Sequence, residues 1–549
     1  MDREARWGRY RPGNTEIAVL VAGITSMGLE ILAGRMIAPQ FGSSIYTWGS
    51  IIGVFLAALS LGYHLGGRRA EHRATTGELA TLLLWAAAYV AFVLFAGNLL
   101  LRVSSALPVP ARFAPLVPVA LLFGPPVYLL GFISPYAAEL SSTESTGEAS
   151  GQVYALGTTG SIAGAFGTTF LLIPSLSIDL IGLVFGVLLV GTAAILALPP
   201  LSRKRIGQLL VVAVLLLAGV AGGSLGVTVP GEVVYETQTP YQHLQVVDRG
   251  DVRTLYLDGQ PHSAMDLDDP NRHVFTYTRY FHLAFLFTED VDRVLFIGGG
   301  GFTGPKIFAR TYNVTVEVAE IDPTVVRVAK EYFGVKEDGD LRIHVVGGRQ
   351  FLQETDRTYD VIVLDAYKKD KVPFQLTTVE FMRLASAHLD DDGVLLANVI
   401  SAPSGPGSAF FRAEYKTISQ VFSQVHAYRT TGGGGVQNIE IVATKRADRL
   451  SPTELRARDR RRELGYDLEE AIDRRVRNVR TADVPVLRDG KAPVEALLDP
   501  LLGRKYVIEG PGGTNWTERP VGSYRTEGPV RSHRADRPVG SYRAPVAGS

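Results

Sequence analysis

Two acidic residues stand at the ends of predicted strands, where a carboxylate could bind a ligand or take part in catalysis. Glu320 closes the apolar stretch that begins at 314, and Asp365 directly follows the apolar run 359–364. In open α/β sheets, ligands bind beyond the carboxyl ends of the strands. Asp365 is therefore a candidate catalytic residue. The alternative is an aspartate that only caps the turn after its strand.

A glycine loop precedes both carboxylates. The apolar run 294–297 predicts a buried parallel strand, and Pro305 suits the first turn of a helix. The residues between them include four consecutive glycines, Gly298, Gly299, Gly300 and Gly301. Glycines let the backbone approach a ligand closely, and free N–H groups at a helix start point at it. This order predicts a nucleotide or nucleoside site, although G-x-G-x-x-G alone is weak support among 58 glycines.

The position of Glu320 agrees with that site. An acidic residue at the end of the second strand, about 20 residues after a glycine loop, can accept hydrogen bonds from ribose hydroxyls. Asp322 follows two residues later in the same acidic strand end. Both are candidate ligand-binding residues.

The order of the predicted elements indicates the fold that positions these residues. Strands are predicted at 294–297, 314–318, 342–346, 359–364, 394–399, 424–430 and 439–444. A parallel series that ends in a strand pair is typical of a class I methyltransferase-like, Rossmann-type α/β domain. A dinucleotide-binding half would more often repeat βαβ units, so an S-adenosyl-type ligand is favoured over a dinucleotide.

The chain divides into six regions by composition. They are a basic segment at 1–14, a transmembrane domain at 15–228, a small antiparallel sheet with a helix at 231–287, the Rossmann-like domain at 288–446, a helical extension at 447–508 and a tail at 509–549. The helix is predicted at 271–287. The tail repeats one heptapeptide at 519–525 and 537–543, and its low hydrophobicity predicts disorder.

The first half predicts an α-helical membrane bundle of about seven spans and hence an integral, multi-pass protein of the cell membrane. The spans are placed near 15–37, 45–66, 79–101, 113–138, 152–173, 177–198 and 206–227. Gly124-Pro125-Pro126 predicts a kink or break in the fourth span. Glu30 and Arg35 lie in or near the first span, and the favoured interpretation is that they are structural.

Basic residues give conflicting indications of orientation. Clusters occur before the first span, after the second at 68–73 and after the sixth at 203–205. With seven spans all three share one side, which should be cytoplasmic, and the soluble half would then lie outside. If the fourth segment is re-entrant and does not span, the three clusters no longer lie on one side of the membrane. The sequence therefore does not decide on which side the soluble half lies.

Composition excludes several classes of function. The chain of 549 residues has no cysteine, which excludes disulfides, thiolate metal sites and cysteine nucleophiles. Its formal net charge is zero, so nothing suggests binding to nucleic acid. Its histidines show no metal-ligand spacing, and no metal is expected.

The chain resembles the spermidine synthase (polyamine aminopropyltransferase) family, in its form fused to a multi-span membrane domain. The similar segments in the first half are 28–35, 46–48 and 62–67. Those in the second half are Tyr241-Gln242, Leu257-Asp258-Gly259, the glycine loop, Glu320-Ile321-Asp322, 359–365 and 492–495.

The resemblance implies aminopropyl transfer from decarboxylated S-adenosylmethionine to putrescine or a related amine, with no permanently bound cofactor. Asp365 matches the catalytic aspartate of the family, Gln242 would contact the adenosyl side of the donor, and Glu320 the ribose. The remaining candidates are Gly347 and Gly348 near adenine and Tyr277, Thr278 and Tyr367 for the amine. A homodimer is also compatible with the family.

The chain departs from the family at several of these positions. Gly301 replaces the loop aspartate that holds the amine of the donor, and Gly347-Gly348 replaces an acidic residue near adenine. Thr278 stands where the family has histidine. Lys368 and Lys369 would repel a cationic substrate. Two alternatives therefore stay open: an S-adenosylmethionine-dependent methyltransferase, and a non-catalytic nucleoside-binding domain coupled to a membrane transporter or sensor.

Overall fold

The structure, a computed structural model, describes residues 13–41, 44–105, 109–141, 146–198, 202–223, 231–369, 371–501, 504–510 and 515–517. The predicted basic segment therefore lies outside the described residues except for 13–14. Of the predicted tail, only 509–510 and 515–517 are described, and both copies of its repeat lie outside.

Seven helical segments are long and apolar enough to cross a membrane, as the sequence predicts. In chain order the helices are α1 (Asn14–Phe41), α2 (Ile45–Arg73), α3 (Thr76–Ser105), α4 (Leu116–Gly131), α5 (Ile133–Ser141), α6 (Thr146–Gly167), the short α7 (Ile173–Ser175), α8 (Ile178–Leu196) and α9 (Arg203–Gly223). The helices α4 and α5 together form the fourth segment. Many apolar side chains on the outside of the bundle are exposed, among them Leu56, Phe95 and Leu215. This distribution suits an apolar surrounding.

The fourth segment does not break at Gly124–Pro126. The helix α4 contains both Pro125 and Pro126 and continues to Gly131, and the irregular residue is Phe132. A Cβ atom at Gly62 of α2 would lie 2.4 Å from the carbonyl oxygen of Tyr128. Close packing of α2 against α4 therefore supports the helix beyond the prolines, where sequence alone predicts an interruption.

The helices α1 and α6 touch through their backbones. A Cβ atom at Gly160 would lie 2.2 Å from the carbonyl oxygen of Leu20, and one at Gly164 would lie 2.3 Å from that of Ile24. Only glycine permits this approach. Gly167, one turn further along α6, has no such neighbour within 4 Å.

The basic clusters that the structure describes lie at one end of the bundle. Arg69 is 3.7 Å from Glu78 at the start of α3, and Arg205 donates a hydrogen bond to the carbonyl oxygen of Gly77 at 2.9 Å. The opposite end of α1 faces the second half of the chain, where Arg35 reaches Pro240. The clusters after α2 and at the start of α9 are therefore remote from the soluble half.

A small antiparallel sheet follows the bundle. Its strands are β1 (Glu232–Gln238), β2 (His243–Arg249), β3 (Val252–Leu257) and β4 (Gln260–Asp266), in that order across the sheet. A hairpin joins β2 and β3, with Gly250 in its turn at a φ of 58°. The predicted helix 271–287 is mostly wrong: α10 (Thr276–Arg279) is short, and 3₁₀ turns follow over Tyr280–Leu286. Every residue of Tyr280–Leu286 is buried, so this segment packs on all sides instead of presenting one apolar face.

The main sheet confirms the class I methyltransferase-like fold. Its strands are β5 (Arg293–Ile297), β6 (Thr315–Glu320), β7 (Leu341–Val345), β8 (Tyr359–Leu364), β9 (Leu389–Ser401), β10 (Gln424–Arg429), β11 (Gln437–Thr444) and the short β12 (Arg475–Val476). Their order across the sheet is β12-β10-β11-β9-β8-β5-β6-β7. The strands β7, β6, β5, β8 and β9 are mutually parallel, and β11 runs antiparallel to both β9 and β10.

Helices cover the main sheet and the end of the chain. They are α11 (Thr303–Thr311), α12 (Pro323–Tyr332), α13 (Gly348–Glu354), α14 (Val379–Ala387), α15 (Ala409–Ile418), α16 (Pro452–Arg462), α17 (Glu469–Asp473) and α18 (Val494–Leu498). A last strand pair is formed by β13 (Val507–Glu509) and β14 (Asn515–Thr517). The carboxyl ends of β5, β6 and β8 meet at one edge, where the predicted site residues lie.

Candidate active site

The glycine loop lies directly beside the loop that carries Asp365. Gly298 has a φ of 94°, and a Cβ atom there would lie 2.3 Å from the carbonyl oxygen of Asp365. The N–H of Asp365 donates to the carbonyl oxygen of Ile297 at 2.9 Å, and the N–H of Gly298 donates to that of Ala319. Gly298 must therefore be glycine, both for its backbone conformation and for space.

Glu320 already binds the glycine loop. Its carboxylate accepts hydrogen bonds from the N–H of Gly299 at 2.8 Å and from the N–H of Asp322 at 2.9 Å. Burial raises the pKa of Glu320, and these hydrogen bonds oppose that shift. A carboxylate has about four acceptor positions, so capacity is left for ligand hydroxyls.

Asp322 and Gln242 come together although they are 80 residues apart. The Nε2 of Gln242 donates to Oδ2 of Asp322 at 3.4 Å, and the hydroxyl of Thr239 donates to the same oxygen at 2.7 Å. The other oxygen of Asp322 accepts from the N–H of Thr324 and so caps α12. Asp322 therefore anchors the segment that carries Gln242.

Gly347 and Gly348 begin α13 at the same edge of the sheet. A Cβ atom at Gly348 would lie 2.2 Å from Cγ2 of Ile297, which ends the strand before the glycine loop. Gly347 has its nearest neighbour, the side chain of Ile321, at 3.8 Å and leaves open space. Gly348 is therefore required for close packing against β5, whereas Gly347 has space beside it.

The structure explains why Gly301 carries no side chain. A Cβ atom there would lie 2.6 Å from Cβ of Ser263, and the N–H of Gly301 donates to Oγ of Ser263 at 2.9 Å. The next residue, Phe302, is fully buried with a φ of 58°, and its ring lies against Gly299. Ser263 and Phe302 therefore fix the loop from opposite sides.

Asp365 is half-buried beyond the end of β8, and its surroundings, with Tyr277, Asn398 and Glu440, are called the recess below. Nδ2 of Asn398 donates a hydrogen bond to its Oδ1 at 2.8 Å. Removal from bulk water raises the pKa of Asp365 to about 6, and the bond from Asn398 limits that rise because it favours the charged form. A carboxylate with this pKa is ionised near neutral pH yet basic enough to accept a proton.

Tyr277 borders the same recess. It is buried, its hydroxyl donates to the carbonyl oxygen of His262 at 3.0 Å, and its pKa is raised well above the ordinary value by burial and by the charges of Asp365, Tyr506 and Glu440. Burial lowers the pKa of His262 to about 3, so its ring is neutral. Tyr277 therefore stays a neutral hydroxyl beside Asp365.

The other two predicted amine-binding residues have partners outside the recess. The hydroxyl of Thr278 donates to the carbonyl oxygen of Phe275 at 2.7 Å and also contacts His273 at 2.6 Å. The hydroxyl of Tyr367 bonds to Glu414 at 3.0 Å and to the carbonyl oxygen of Leu376 at 2.9 Å. Both hydroxyls already have structural partners.

The two lysines after Asp365 are also engaged. Nζ of Lys368 forms an ion pair with Asp258 at 2.8 Å, and Nζ of Lys369 donates to the carbonyl oxygen of Arg504 at 3.1 Å. Burial acts to raise the pKa of Asp258, but the Lys368 ammonium, together with the backbone N–H of His243 and the charge of Lys371, holds that pKa below its ordinary value. The charge of Lys368 is thus balanced, and the repulsion expected from the sequence is reduced.

One carboxylate of the recess was missed by sequence reasoning. Glu440 is fully buried on β11, and neither of its carboxylate oxygens has a hydrogen-bond partner within the described residues. Burial and the charge of Asp365 raise its pKa well above the ordinary value. The signal in the sequence is one glutamate within the apolar strand 439–443, where burial of a charge demands a partner.

A polar network surrounds that carboxylate. Asn398 of β9 lies opposite Glu440 in the strand register. Nδ2 of Asn438 donates to Oδ1 of Asn398 at 2.8 Å, and the hydroxyl of Tyr506 donates to Oδ1 of Asn438 at 2.7 Å. These bonds fix the amide of Asn398 so that its Nδ2 points at Asp365.

The chain is similar in sequence to proteins of one known family. A family model for the spermine/spermidine synthase domain matches residues 275–431. A polyamine aminopropyltransferase of Thermococcus onnurineus is 30% identical over 210 residues, which cover 36% of this chain and 70% of the relative. A polyamine aminopropyltransferase of Vibrio vulnificus is 29% identical over 206 residues, covering 36% of this chain and 67% of the relative.

Among solved structures, a probable spermidine synthase of Corynebacterium glutamicum is similar at 23% identity, with a TM-score of 0.38, covering 42% of this chain and 86% of that chain. The sheet and the matched relatives define a transferase with a class I methyltransferase-like fold. The chain belongs to the spermine/spermidine synthase family. The family model leaves the seven membrane-length helices outside its match.

Proposed function

We propose that the second half of the chain transfers an aminopropyl group from decarboxylated S-adenosylmethionine to an amine. The observation that carries this proposal is Asp365, held by Asn398 in a recess that also contains the unpartnered carboxylate of Glu440. Two carboxylates in one recess suit a cationic amine. The glycine loop, Glu320 and Gln242 stand at the donor side of the same edge of the sheet.

In this mechanism Asp365 binds and then deprotonates the acceptor. A primary amine is protonated near neutral pH and cannot attack carbon until it loses a proton. Asp365 accepts that proton, and the nitrogen lone pair attacks the methylene group next to the sulfonium. The new C–N bond forms as the C–S bond breaks, and the sulfur leaves as a neutral thioether. The sulfonium supplies the activation, so the residues need only orient the reactants.

The donor side is assigned by position. Glu320 receives the ribose hydroxyls, and Gln242 contacts the adenosyl side while Asp322 holds it in place. Because the loop consists of glycines, its backbone can come close to the donor, and its N–H groups can donate hydrogen bonds to it. With Gly301 in place of an acidic residue, the donor amine lacks that carboxylate partner.

The acceptor side favours an amine that carries a second positive charge, such as putrescine. Glu440 is buried without a hydrogen-bond partner within the described residues, and a second ammonium group would supply one and favour its ionised form. Tyr277 is close enough to feel the charges of both carboxylates, and its own hydroxyl stays neutral. Lys368 is paired with Asp258 and so leaves the recess negative.

The first half is proposed to anchor the enzyme in a membrane as a multi-pass domain. The support is the set of seven helices of sufficient length and hydropathy, whose outer apolar side chains are exposed. Lipid would cover these side chains.

Calorimetric titration of the full chain in detergent micelles tests the proposed reaction. Decarboxylated and ordinary S-adenosylmethionine are each titrated with and without putrescine. We expect tighter binding of the decarboxylated donor, strengthened by putrescine and accompanied by formation of an aminopropylated amine. Preference for the carboxylated donor would indicate methyl transfer, and binding of neither would refute both reactions.

A second candidate is a nucleoside-binding domain without turnover that serves a membrane transporter or sensor. The observation in its favour is that the described basic clusters lie at the end of the bundle remote from the soluble half. By the positive-inside rule this end is cytoplasmic, which separates the soluble half from cytosolic donors. Nucleoside binding without any product would support this candidate.

A further inference from the structure

An arginine of the first membrane-length helix reaches the donor side of the candidate site. Nη2 of Arg35 on α1 donates a hydrogen bond to the carbonyl oxygen of Pro240 at 2.9 Å. The two residues are 205 positions apart and belong to the two halves of the chain. A charged side chain in a membrane-length helix is costly unless a partner accepts it. Here the partner belongs to the soluble half.

Pro240 lies in the turn that carries Gln242. The N–H of Thr239 donates to the carbonyl oxygen of Gln242 at 2.9 Å, and the hydroxyl of Thr239 accepts from the N–H groups of Tyr241 and Gln242 at 3.0 and 3.1 Å. The same hydroxyl donates to Asp322. The turn Thr239–Gln242 is therefore bound at two points, by Arg35 at the carbonyl of Pro240 and by Asp322 at the hydroxyl of Thr239.

Two carboxylates act on the guanidinium of Arg35. They belong to Asp322, which is fully buried, and Asp258, which also pairs with Lys368. Asp322 anchors the donor side, and Lys368 belongs to the loop that follows Asp365. The positive charge of Arg35 thus partly neutralises the negative charges of Asp258 and Asp322 in the soluble half.

The helix that carries Arg35 is held firmly within the bundle. Its backbone contact with α6 at Gly160 and Gly164 leaves no space for even one methyl group. Next to Arg35 in the chain, Gly34 packs against the ring of Trp48, since a Cβ atom there would lie 2.7 Å from it. The position of Arg35 relative to the site is therefore set by the packing of the membrane-length helices.

We propose that Arg35 is a positioning residue of the donor site, through which the first half of the chain shapes the turn Thr239–Gln242. Through the Pro240 carbonyl it holds Gln242 at the edge of the adenosyl site, and its charge acts on Asp322, which accepts a hydrogen bond from Gln242. The identity of the donor rests on the proposed function. The structural coupling between the two halves does not.

Hydrogen exchange tests the coupling without any ligand. The full chain is compared with Arg35→Ala, Arg35→Lys and the control Arg68→Ala, whose exposed arginine lies at the other end of the bundle. We expect the amides of Thr239, Tyr241 and Gln242 to exchange fastest in Arg35→Ala and at an unchanged rate in Arg68→Ala. Arg35→Lys should be intermediate, because a lysine keeps the charge but not the guanidinium geometry. Unchanged exchange in Arg35→Ala would overturn the proposal.

Binding and kinetics test the consequence for the donor. We expect Arg35→Ala to weaken binding of decarboxylated S-adenosylmethionine and raise its KM about tenfold, as for loss of one hydrogen bond to a charged group, with the acceptor KM nearly unchanged. Equal effects on both substrates would contradict a role at the donor side. If the unaltered chain binds no donor, the proposed function fails, and the exchange experiment still decides the role of Arg35.

Discussion

Glu440 and Asn398 lie directly opposite one another on β11 and β9, and Asn398 in turn holds Asp365 with a hydrogen bond of 2.8 Å. The strand register thus places an unpartnered carboxylate beside the candidate base. Since β9 and β11 are antiparallel neighbours, side chains at paired positions emerge on the same face of the sheet. The proposed acceptor site therefore depends on the pairing between β9 and β11.

Replacement of Glu440 should affect the acceptor and leave the donor unaffected. We expect Glu440→Gln to raise the KM for putrescine roughly 10- to 100-fold, because a charge-assisted bond to the second ammonium is lost. Donor affinity should stay within about twofold of the unaltered value, as expected without a changed contact. Steady-state kinetics with each substrate varied would measure both. The matched control is Glu331→Gln, an exposed glutamate of α12.

The same variant should change the dependence of stability on pH. Because the pKa of Glu440 is raised above 4.5, the folded state binds more protons than the unfolded state, and stability falls as pH rises through that raised pKa. Glu440→Gln removes this loss. We expect its Tm to exceed that of the unaltered chain increasingly as pH rises above 4.5. Parallel Tm curves would show that the carboxylate already has a partner.

The ionisation of Asp365 should set the acidic limb of the rate profile. With a pKa of about 6, Asp365 loses its basic form as pH falls through that value, so kcat/KM should fall there too. Asn398→Ala removes a bond that favours the charged form and should shift this limb to higher pH. Asp365→Asn should lower kcat by about 10²–10⁴ while donor binding persists. If the acidic limb of the kcat/KM profile lies at the same pH in Asn398→Ala as in the unaltered chain, Asp365 is not the base that produces it.

Space at Gly301 gives a test of the glycine loop. We expect Gly301→Ala to weaken donor binding and to cost about 1–3 kcal/mol of stability, because its Cβ would lie 2.6 Å from Cβ of Ser263. The control is Gly339→Ala, which has no neighbour within 4 Å. A second change, Ser263→Gly, should recover part of the loss by removing the clashing atom. Calorimetry and thermal unfolding would show whether Gly301→Ala is instead neutral.

The orientation of the bundle can be measured because the chain has no cysteine. The charge distribution predicts that Lys336→Cys in the soluble half reacts with a membrane-impermeant maleimide on intact cells. His72→Cys, next to the basic end of α2, should react only after permeabilisation. The reverse pattern would place the soluble half in the cytoplasm and strengthen the enzymatic proposal over the transporter or sensor role.

The features that sequence reasoning found are those with local signals. The strand, glycine loop and helix start around 294–305 form one short motif, and seven apolar segments are visible from hydropathy alone. The sheet follows from the order of its strands. Asp322 was predicted from its place at the end of a strand and Gln242 from the family resemblance, whereas their direct contact required the structure.

The missed features depend on contacts between distant segments. Glu440 looks like a single polar residue in a strand until the register shows what lies opposite it. Arg35 was interpreted as structural because its partner is 205 residues away. The predicted helix 271–287 failed because this aromatic segment is buried on all sides, which removes the one-sided pattern of a surface helix.

The bond from Arg35 to Pro240 also limits how the protein can be divided. A fragment that starts at Gly231 would retain the main sheet, the glycine loop and Asp365, and it would have the appearance of a complete soluble enzyme. It would nevertheless lose a cation whose charge interacts with Asp258 and Asp322. Binding and kinetic constants measured on such a truncated protein would describe a donor site that lacks Arg35. Weak donor binding by the fragment would then result from the truncation and not from the intact protein.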